Sequence, residues 1–295
     1  MHDDQITVSA FTVRHLVADQ FPKWRGLSIR QVQSAATVNA IFRMGKDLAA
    51  RLPLRLQDPA AALAWLQAER DAANELASLA TVPTPRQVAL GRPGHDYPSP
   101  WSVQTWLPGQ DATVVDPSRS DLFATDLARF ISGLREADTK GRRFAGTGRG
   151  GHLPDHDPWM AVCFEKSQSL LEVTSLRALW ADLRTLPRRE ADVMCHGDLT
   201  PPNVLVRQGR LAGVLDGGGF GPADPALDLV GAWHLLEQPA REVLRAELGC
   251  SDLQWQRGMA WAFEQAMGLV WYYATSNPTM SHWGKRTLGR IVSAA

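Results

Sequence analysis

Cys195-His-Gly-Asp-Leu-Thr-Pro-Pro-Asn-Val-Leu-Val-Arg-Gln208, followed shortly by Leu215-Asp216, is the stretch whose reading decides the fold. Asp198 stands five residues before Asn203 and eighteen before Asp216. Two apolar runs, Val204 to Val206 and Leu211 to Leu215, flank the turn-prone Arg207-Gln-Gly-Arg210. That pattern spells a β-hairpin with a polar loop at its start and a carboxylate at its end. Phosphoryl transfer uses this layout: one carboxylate orients the attacking hydroxyl, while an amide and a second carboxylate hold Mg²⁺ on nucleotide phosphates. Asp198 is therefore read as the catalytic residue, and Asn203 and Asp216 as metal ligands. Taken alone, His196-Gly-Asp198 would describe an ordinary turn; the amide five residues on is what adds chemistry to it.

The neighbouring residues take supporting roles. Pro201 and Pro202 stiffen the loop and reduce the entropy lost in fixing it. Gly217-Gly-Gly219 lets backbone come close to phosphate and metal behind Asp216. His196 lies beside apolar Val193 and Met194 and is read as bracing the loop through backbone, not as an acid or metal ligand. Cys195 has no second Cys/His pair nearby to complete a zinc site. Asp224 is expected to cap a helix, and Asp228 to receive backbone N–H bonds from the catalytic loop.

Composition bounds the rest. The 295 residues are 44% apolar and 21% charged, an ordinary globular balance, and their length leans towards two lobes. Basic and acidic side chains number 31 each, which gives no electrostatic case for nucleic acid or an anionic membrane. Three scattered cysteines form neither a disulfide framework nor a metal knuckle and suit a reducing, cytoplasmic setting. Met1 to Gln5 lacks the pattern of a secretion leader, and no stretch reaches the roughly 18 apolar residues of a spanning helix. Oligomeric state leaves no mark on the sequence.

Along the chain, residues 27–53 read as strands, with Thr37 to Met44 and Leu48 to Leu52 joined by a Gly45-Lys-Asp47 turn. Asp58-Pro59 opens a helix that runs to about Ala80, and Trp101 to Leu107 is a further strand. From residue 118 the pattern becomes helical: Phe123, Leu127, Phe130 and Leu134 fall on one face, and helices are expected over 158–186, 225–248, 252–275 and 281–293. The glycine-rich, basic stretch 139–157 reads as a mobile surface loop. A cation for the nucleotide phosphates is available at Arg51, with Glu69 or Glu75 of the following helix as its acidic partner.

At these residues the chain resembles the aminoglycoside phosphotransferase family, relatives of the protein kinases. The matching motifs are His196-Gly-Asp-Leu-Thr-Pro-Pro-Asn203 and Val214-Leu-Asp216-Gly-Gly-Gly-Phe-Gly-Pro-Ala-Asp224-Pro-Ala-Leu-Asp228. Arg51-Leu-Pro53, Tyr97 to Gly109, Arg149-Gly-Gly-His-Leu153 and Tyr272 to Pro278 extend the likeness to about residues 28–293. The resemblance implies an α+β, bilobal, protein-kinase-like fold. Residues 1–106 would form a small antiparallel sheet lobe with one main helix, and residues 107–295 a larger, mostly helical lobe for catalysis and acceptor binding. ATP, or GTP, would lie between lobes with Mg²⁺ on its phosphates. Glu69 would be the acid paired with Arg51, and adenine would meet backbone near Thr105 and Leu107, leaving those side chains replaceable.

Two departures from the family pattern matter. Arginine stands at position 51 where lysine is usual, which keeps the charge and adds a bidentate fork. Gly217 stands where an aromatic residue is usual, which predicts a looser metal loop. The expected activity is transfer of the γ-phosphoryl group to a hydroxyl of a small polar molecule, first of all an aminoglycoside-type antibiotic, which would associate the chain with antibiotic resistance. Asp155, Asp157, Glu165, Glu237 and Glu264 are the acids available to a polyamine acceptor. The alternatives are a macrolide, another metabolite, or a nucleotide-binding protein without catalysis; fold and phosphate site do not distinguish acceptors.

Overall fold

Buried and half-buried side chains alternate along Asn39–Met44, with Ala40, Phe42 and Met44 turned inward, the pattern of a strand with one face in a core. The computed structural model describes residues 6–32, 39–146 and 148–294. Thr37 and Val38, read from sequence as the start of that strand, lie outside the described residues, as do the Met1 to Gln5 segment and Thr147 of the glycine-rich stretch. The chain divides into two compact units. One comprises Met1–Ser78, Pro83–Pro108 and Leu215–Gly218; the other comprises Leu79–Val82, Gly109–Val214 and Gly219–Ala295.

The first unit holds helix α1 (Ala10–Gln20), strands β1 (Ile29–Val32), β2 (Asn39–Met44) and β3 (Leu48–Pro53), helix α2 (Pro59–Leu79, ending one residue beyond the unit), and strands β4 (Gln87–Gly91) and β5 (Trp101–Thr105). The strands form one antiparallel sheet in the order β1-β2-β3-β5-β4. Asp58 caps α2 as expected, its Oδ1 accepting from the N–H groups of Ala60 and Ala61 at 3.1 and 3.0 Å. Helix α1 was not legible in the sequence. Its apolar face is only Val13, Leu16 and Val17, and it holds because Ser9 caps it and those side chains enter the core with Phe42, Met44, Leu52 and Trp101. Strand β4 was missed too. It ends at Gly91 because the Trp101 indole lies on it: a Cβ there would stand 2.1 Å from the ring.

The second unit is mostly helical. Strand β6 (Gln110–Asp111) precedes helices α3 (Asp121–Arg135), α4 (Asp157–Lys166) and α5 (Val173–Leu183) and strand β7 (Val193–Cys195). The hairpin of β8 (Val204–Arg207) and β9 (Arg210–Val214), strand β10 (Gly221–Ala223) and helices α6 (Val230–Leu235), α7 (Gln238–Leu248), α8 (Asp252–Tyr272) and α9 (Pro278–Val292) complete it. Positive φ at both Gln208 (54°) and Gly209 (69°) makes the hairpin turn match the strand twist. The α3 face read from periodicity is buried at Phe123, Leu127, Phe130 and Leu134. The helix expected over 158–186 is two, because Glu172 starts a new one by accepting from the N–H groups of Thr174 and Ser175. The helix expected over 225–248 is likewise divided, since Pro239 opens α7 after extended backbone at Leu236 and Glu237. No helix among the described residues is long and apolar enough to cross a membrane.

Candidate active site

Strand β7 leads into the loop read from sequence as catalytic. Immediately after it, Asp228 accepts from the backbone N–H groups of His196 and Gly197, both at 2.8 Å, which fixes where the loop leaves the strand. Burial pushes the Asp228 carboxyl up, and those two N–H donors and nearby His196 oppose that shift. His196 Nδ1 lies 3.3 Å from the backbone N–H of Asp198 and accepts from it, the bracing role read from sequence. Asp224 does accept from Ala226 N at 3.0 Å, yet its larger task lies elsewhere. Its other oxygen takes Arg257 Nε and Trp261 Nε1, each at 3.0 Å, together with Arg257 Nη2, in a fully buried ion pair beneath the loop.

Asp198 and Asn203 come together as the spacing suggested. Asn203 Nδ2 donates to Asp198 Oδ2 at 2.7 Å, to the Asp198 carbonyl at 3.0 Å and to Thr200 Oγ1 at 3.2 Å. With its nitrogen so engaged, the amide oxygen is the atom Asn203 can offer a cation. Two donors that sequence reading did not foresee reach the other Asp198 oxygen: Gln265 Nε2 at 2.6 Å and Arg149 Nη2 at 3.4 Å. Oδ1 thus carries two donors and Oδ2 only one, so Oδ2 keeps room for a substrate hydroxyl.

Arg149 belongs to the stretch read as a mobile surface loop; Lys140 to Arg143 are exposed, and the reading is corrected at Gly150 and Gly151. Gly150 and Gly151 are buried, and a Cβ on Gly150 would stand 2.8 Å from Ala223 and one on Gly151 2.7 Å from the Phe144 ring. The glycines there serve close packing, which carries Arg149 to the carboxylate. The signal for Gln265 was a Glu-Gln pair interrupting the apolar run from Met259 to Val270 in α8, all of it buried around those two residues except Gly268 and Leu269.

In the sheet unit, Arg51, Glu69 and Asp216 form one charge cluster. Arg51 is held by β3 between β2 and β5, opposite Ile41 and Ser102. Its Nη2 donates to Asp216 Oδ1 at 2.9 Å. The sequence reading paired Arg51 with Glu69; the hydrogen bond instead goes to the aspartate, with Glu69 close enough to act through its charge. Burial raises the Glu69 carboxyl, Arg51 lowers it and Asp216 raises it. Asp216 adopts a left-handed backbone, φ 58°, which a short polar side chain tolerates better than most.

The glycines behind Asp216 are not slack. Glu69, Ala73 and Leu76 recur at helical spacing on one face of α2, and Gly217 and Gly218 lie along it. A Cβ on Gly217 would come 2.5 Å from Leu76 Cδ2, and one on Gly218 2.8 Å from Glu69 Cγ. An aromatic residue is absent at 217 because the helix occupies its place. The looser metal loop expected from sequence is therefore a tightly apposed one.

Thr105 and Leu107 stand at and just beyond the end of β5. Thr105 Oγ1 accepts from Arg86 N, and Thr105 N donates to Arg86 O, both at 2.9 Å. Its side chain therefore closes the strand pair, contrary to the expectation that it is freely replaceable, and its N–H is already engaged. Each unit offers the oxygen donors Mg²⁺ takes: the Asn203 amide in one, the Asp216 carboxylate in the other. Among the described residues no group of three or more His, Cys, Asp or Glu forms a protein cage. Either donor by itself is the kind of contact that Mg²⁺ carried on phosphates takes, since that ion keeps most of its ligands from nucleotide and water.

Of the acids offered for a polyamine acceptor, three already have partners. Asp157 Oδ1 accepts from Arg184 Nε at 2.7 Å and Trp180 Nε1 at 3.0 Å. Glu237 takes Arg286 and Arg290, each at 2.8 Å. Buried Glu264 lies 3.0 Å from His156 Nδ1, and that bond raises the imidazole pKa above its ordinary value. Asp155 and Glu165 are exposed.

The fold is that of the kinase-like phosphotransferases. The GDP complex of wild-type aminoglycoside 2'-phosphotransferase-IIIa matches 98% of this chain and 100% of its own at a TM-score of 0.71 and 17% identity. The apoenzyme of macrolide 2'-phosphotransferase MphH from Brachybacterium faecium matches 93% and 97% at 0.63 and 17%. The chain belongs to the phosphotransferase enzyme family, whose model matches residues 28–262. An aminoglycoside 3'-phosphotransferase of Streptomyces fradiae is 48% identical over 56 residues, 18% of this chain and 21% of that protein. One of Escherichia coli is 36% identical over 72 residues, 23% and 27% respectively. The chain thus matches about a fifth to a quarter of the length of these curated relatives.

Proposed function

We propose that this protein moves the γ-phosphoryl group of ATP, or of GTP, to a hydroxyl of a small polar molecule. The observation that carries the reading is Asp198, held by Asn203 through Oδ2 at 2.7 Å with capacity left on that oxygen. The acceptor hydroxyl donates to Oδ2, which aligns its oxygen on the γ-phosphorus. As the new P–O bond forms and the bond to the β-phosphate oxygen breaks, the hydroxyl proton passes to Asp198 and the nucleoside diphosphate leaves. Arg51 has five N–H donors, enough to hold Asp216 and still meet phosphate oxygens. Glu69 adds a second carboxylate beside Arg51 that would help hold the guanidinium in place, and Thr105 and Leu107 mark the backbone that would meet the base. Asn203 and Asp216 would hold Mg²⁺, which supplies charge neutralisation on the phosphates when bound. In this reading residues 1–106 serve the nucleotide and residues 107–295 serve catalysis and the acceptor, in the cytoplasm.

An aminoglycoside-type antibiotic is the first acceptor to test, following the aminoglycoside 3'-phosphotransferases to which part of the chain is similar. A second reading, a macrolide or another acceptor that is not a polycation, is favoured by the pairing of Asp157, Glu237 and Glu264 with protein side chains. The test is a nucleotide-consumption screen with Mg²⁺, using ATP and GTP separately, against aminoglycosides, macrolides and hydroxylated metabolites, with Asp198→Ala as control. A hit confined to one class names the acceptor. Nucleotide binding with no turnover above the control would leave a binding protein in place of an enzyme.

A further inference from the structure

We infer that His234 is a positioning residue for Asp198, acting through the side-chain amide of Gln265. This rests on the phosphotransferase reading and names two further residues on which that reaction depends. Gln265 Nε2 donates to Asp198 Oδ1 at 2.6 Å while its Oε1 lies 3.2 Å from His234 Nε2. On the far side of the ring, His234 Nδ1 lies 2.9 Å from Thr287 Oγ1. His234 and Thr287 are fully buried and Gln265 is 7% exposed, so water cannot replace these partners.

The chain of bonds has one proton order. An amide can present either end to a carboxylate, and only its nitrogen end attracts one. Gln265 keeps that end on Asp198 if its oxygen has a donor behind it, and the donor is His234 Nε2–H. The imidazole then carries its lone pair on Nδ1 and accepts from the Thr287 hydroxyl. Burial drives the His234 pKa down to about 3, and the charges of Arg149 and Arg290 act in the same direction, so the ring is neutral near pH 7 and has a single proton to place. Thr287, His234 and Gln265 sit on α9, α6 and α8, three helices that the bond chain ties to one carboxylate oxygen. A site needing only packed volume would be filled at lower desolvation cost by apolar side chains.

The experiment measures ADP release from ATP with Mg²⁺, with kanamycin as acceptor and water as background, for wild type, Asp198→Ala, Gln265→Leu, His234→Leu and His234→Gln. Both leucine variants should lower kcat about 10- to 100-fold with nucleotide KM within about twofold, as loss of an outer hydrogen-bond partner typically does. His234→Gln restores an N–H donor towards Gln265 and should return kcat to within about threefold of wild type. Equal losses in His234→Gln and His234→Leu, or a KM rising in step with the fall in kcat, overturn the assignment. Wild-type turnover no higher than Asp198→Ala would instead remove kanamycin as the acceptor, a failure of the acceptor assignment and not of His234. The inference is then still decided by the ¹⁵N spectrum of the wild-type imidazole at pH 7: Nε2-protonated and neutral supports it, Nδ1-protonated overturns it.

Discussion

Asp198 and Asp216 are nearly equally exposed, with side chains at 39% and 45%, yet they are held in opposite ways. Two neutral amides and a more distant guanidinium surround Asp198, and one of those amides is rooted in buried helices. Asp216 has a single close guanidinium, a left-handed backbone and two glycines pressed on α2. Under the proposed reaction, the difference follows from what each carboxylate would have to do. A group that aligns a hydroxyl and takes its proton needs exact direction without a tight counter-ion that would drain its basicity. A group that holds a cation needs its full charge and a free oxygen, and close backbone apposition is enough to place it.

The comparison breaks first at Asp198. Asp198→Ala should lower kcat on the order of 10²- to 10⁴-fold while nucleotide affinity, read by calorimetry, stays put; undiminished turnover would remove the residue from the mechanism. Asp216→Ala comes next and should raise the Mg²⁺ concentration for half-maximal rate about 10-fold or more, with Asn203→Ala smaller because it removes a neutral ligand. Metal dependence unchanged in both variants would contradict the donor assignment.

A pH test sharpens the buried side of the comparison. His234 has a folded pKa of about 3 against 6.5 when unfolded, so below 6.5 the unfolded chain takes up a proton that the folded one refuses. The stability it contributes is complete above pH 6.5 and is lost as pH falls, by up to about 1.4 kcal/mol per unit until the folded value is reached. Urea melts at pH 7 and pH 5 should therefore show wild type losing about 2 kcal/mol more than the non-titrating His234→Gln. The smallest effect belongs to the glycines: Gly218→Ala puts a Cβ 2.8 Å from Glu69 and should cost about 1–2 kcal/mol in a thermal melt, whereas a slack loop would accept it freely.

Much of this was readable from local chemistry. The hairpin, the Asp58 cap, the face of α3 and the bracing bond of His196 depend on residues close together in the chain or on simple periodicity, and such patterns are written in order. Helix α1 and strand β4 escaped because their stability comes from contacts with Trp101 and the sheet core, not from their own propensity. Arg149 and Gln265 escaped for a related reason. Arginine in a glycine-rich stretch and a glutamine within an apolar helix look unremarkable until folding brings both to one carboxylate.

By itself, then, the Cys195 to Asp216 stretch pointed to the phosphotransferase family and singled out the three oxygen-bearing residues that the proposed reaction uses, because the spacing of loop, strand and turn is a short-range property. Tertiary structure alone decided which partners hold them. Arg51 goes to Asp216 at 2.9 Å with Glu69 acting through charge, Gly217 marks close packing, and Asp198 leans on Gln265 and, behind it, His234. Those pairings span up to 165 residues of chain, and a hydrogen bond depends on distance and direction in space, to which sequence separation is blind.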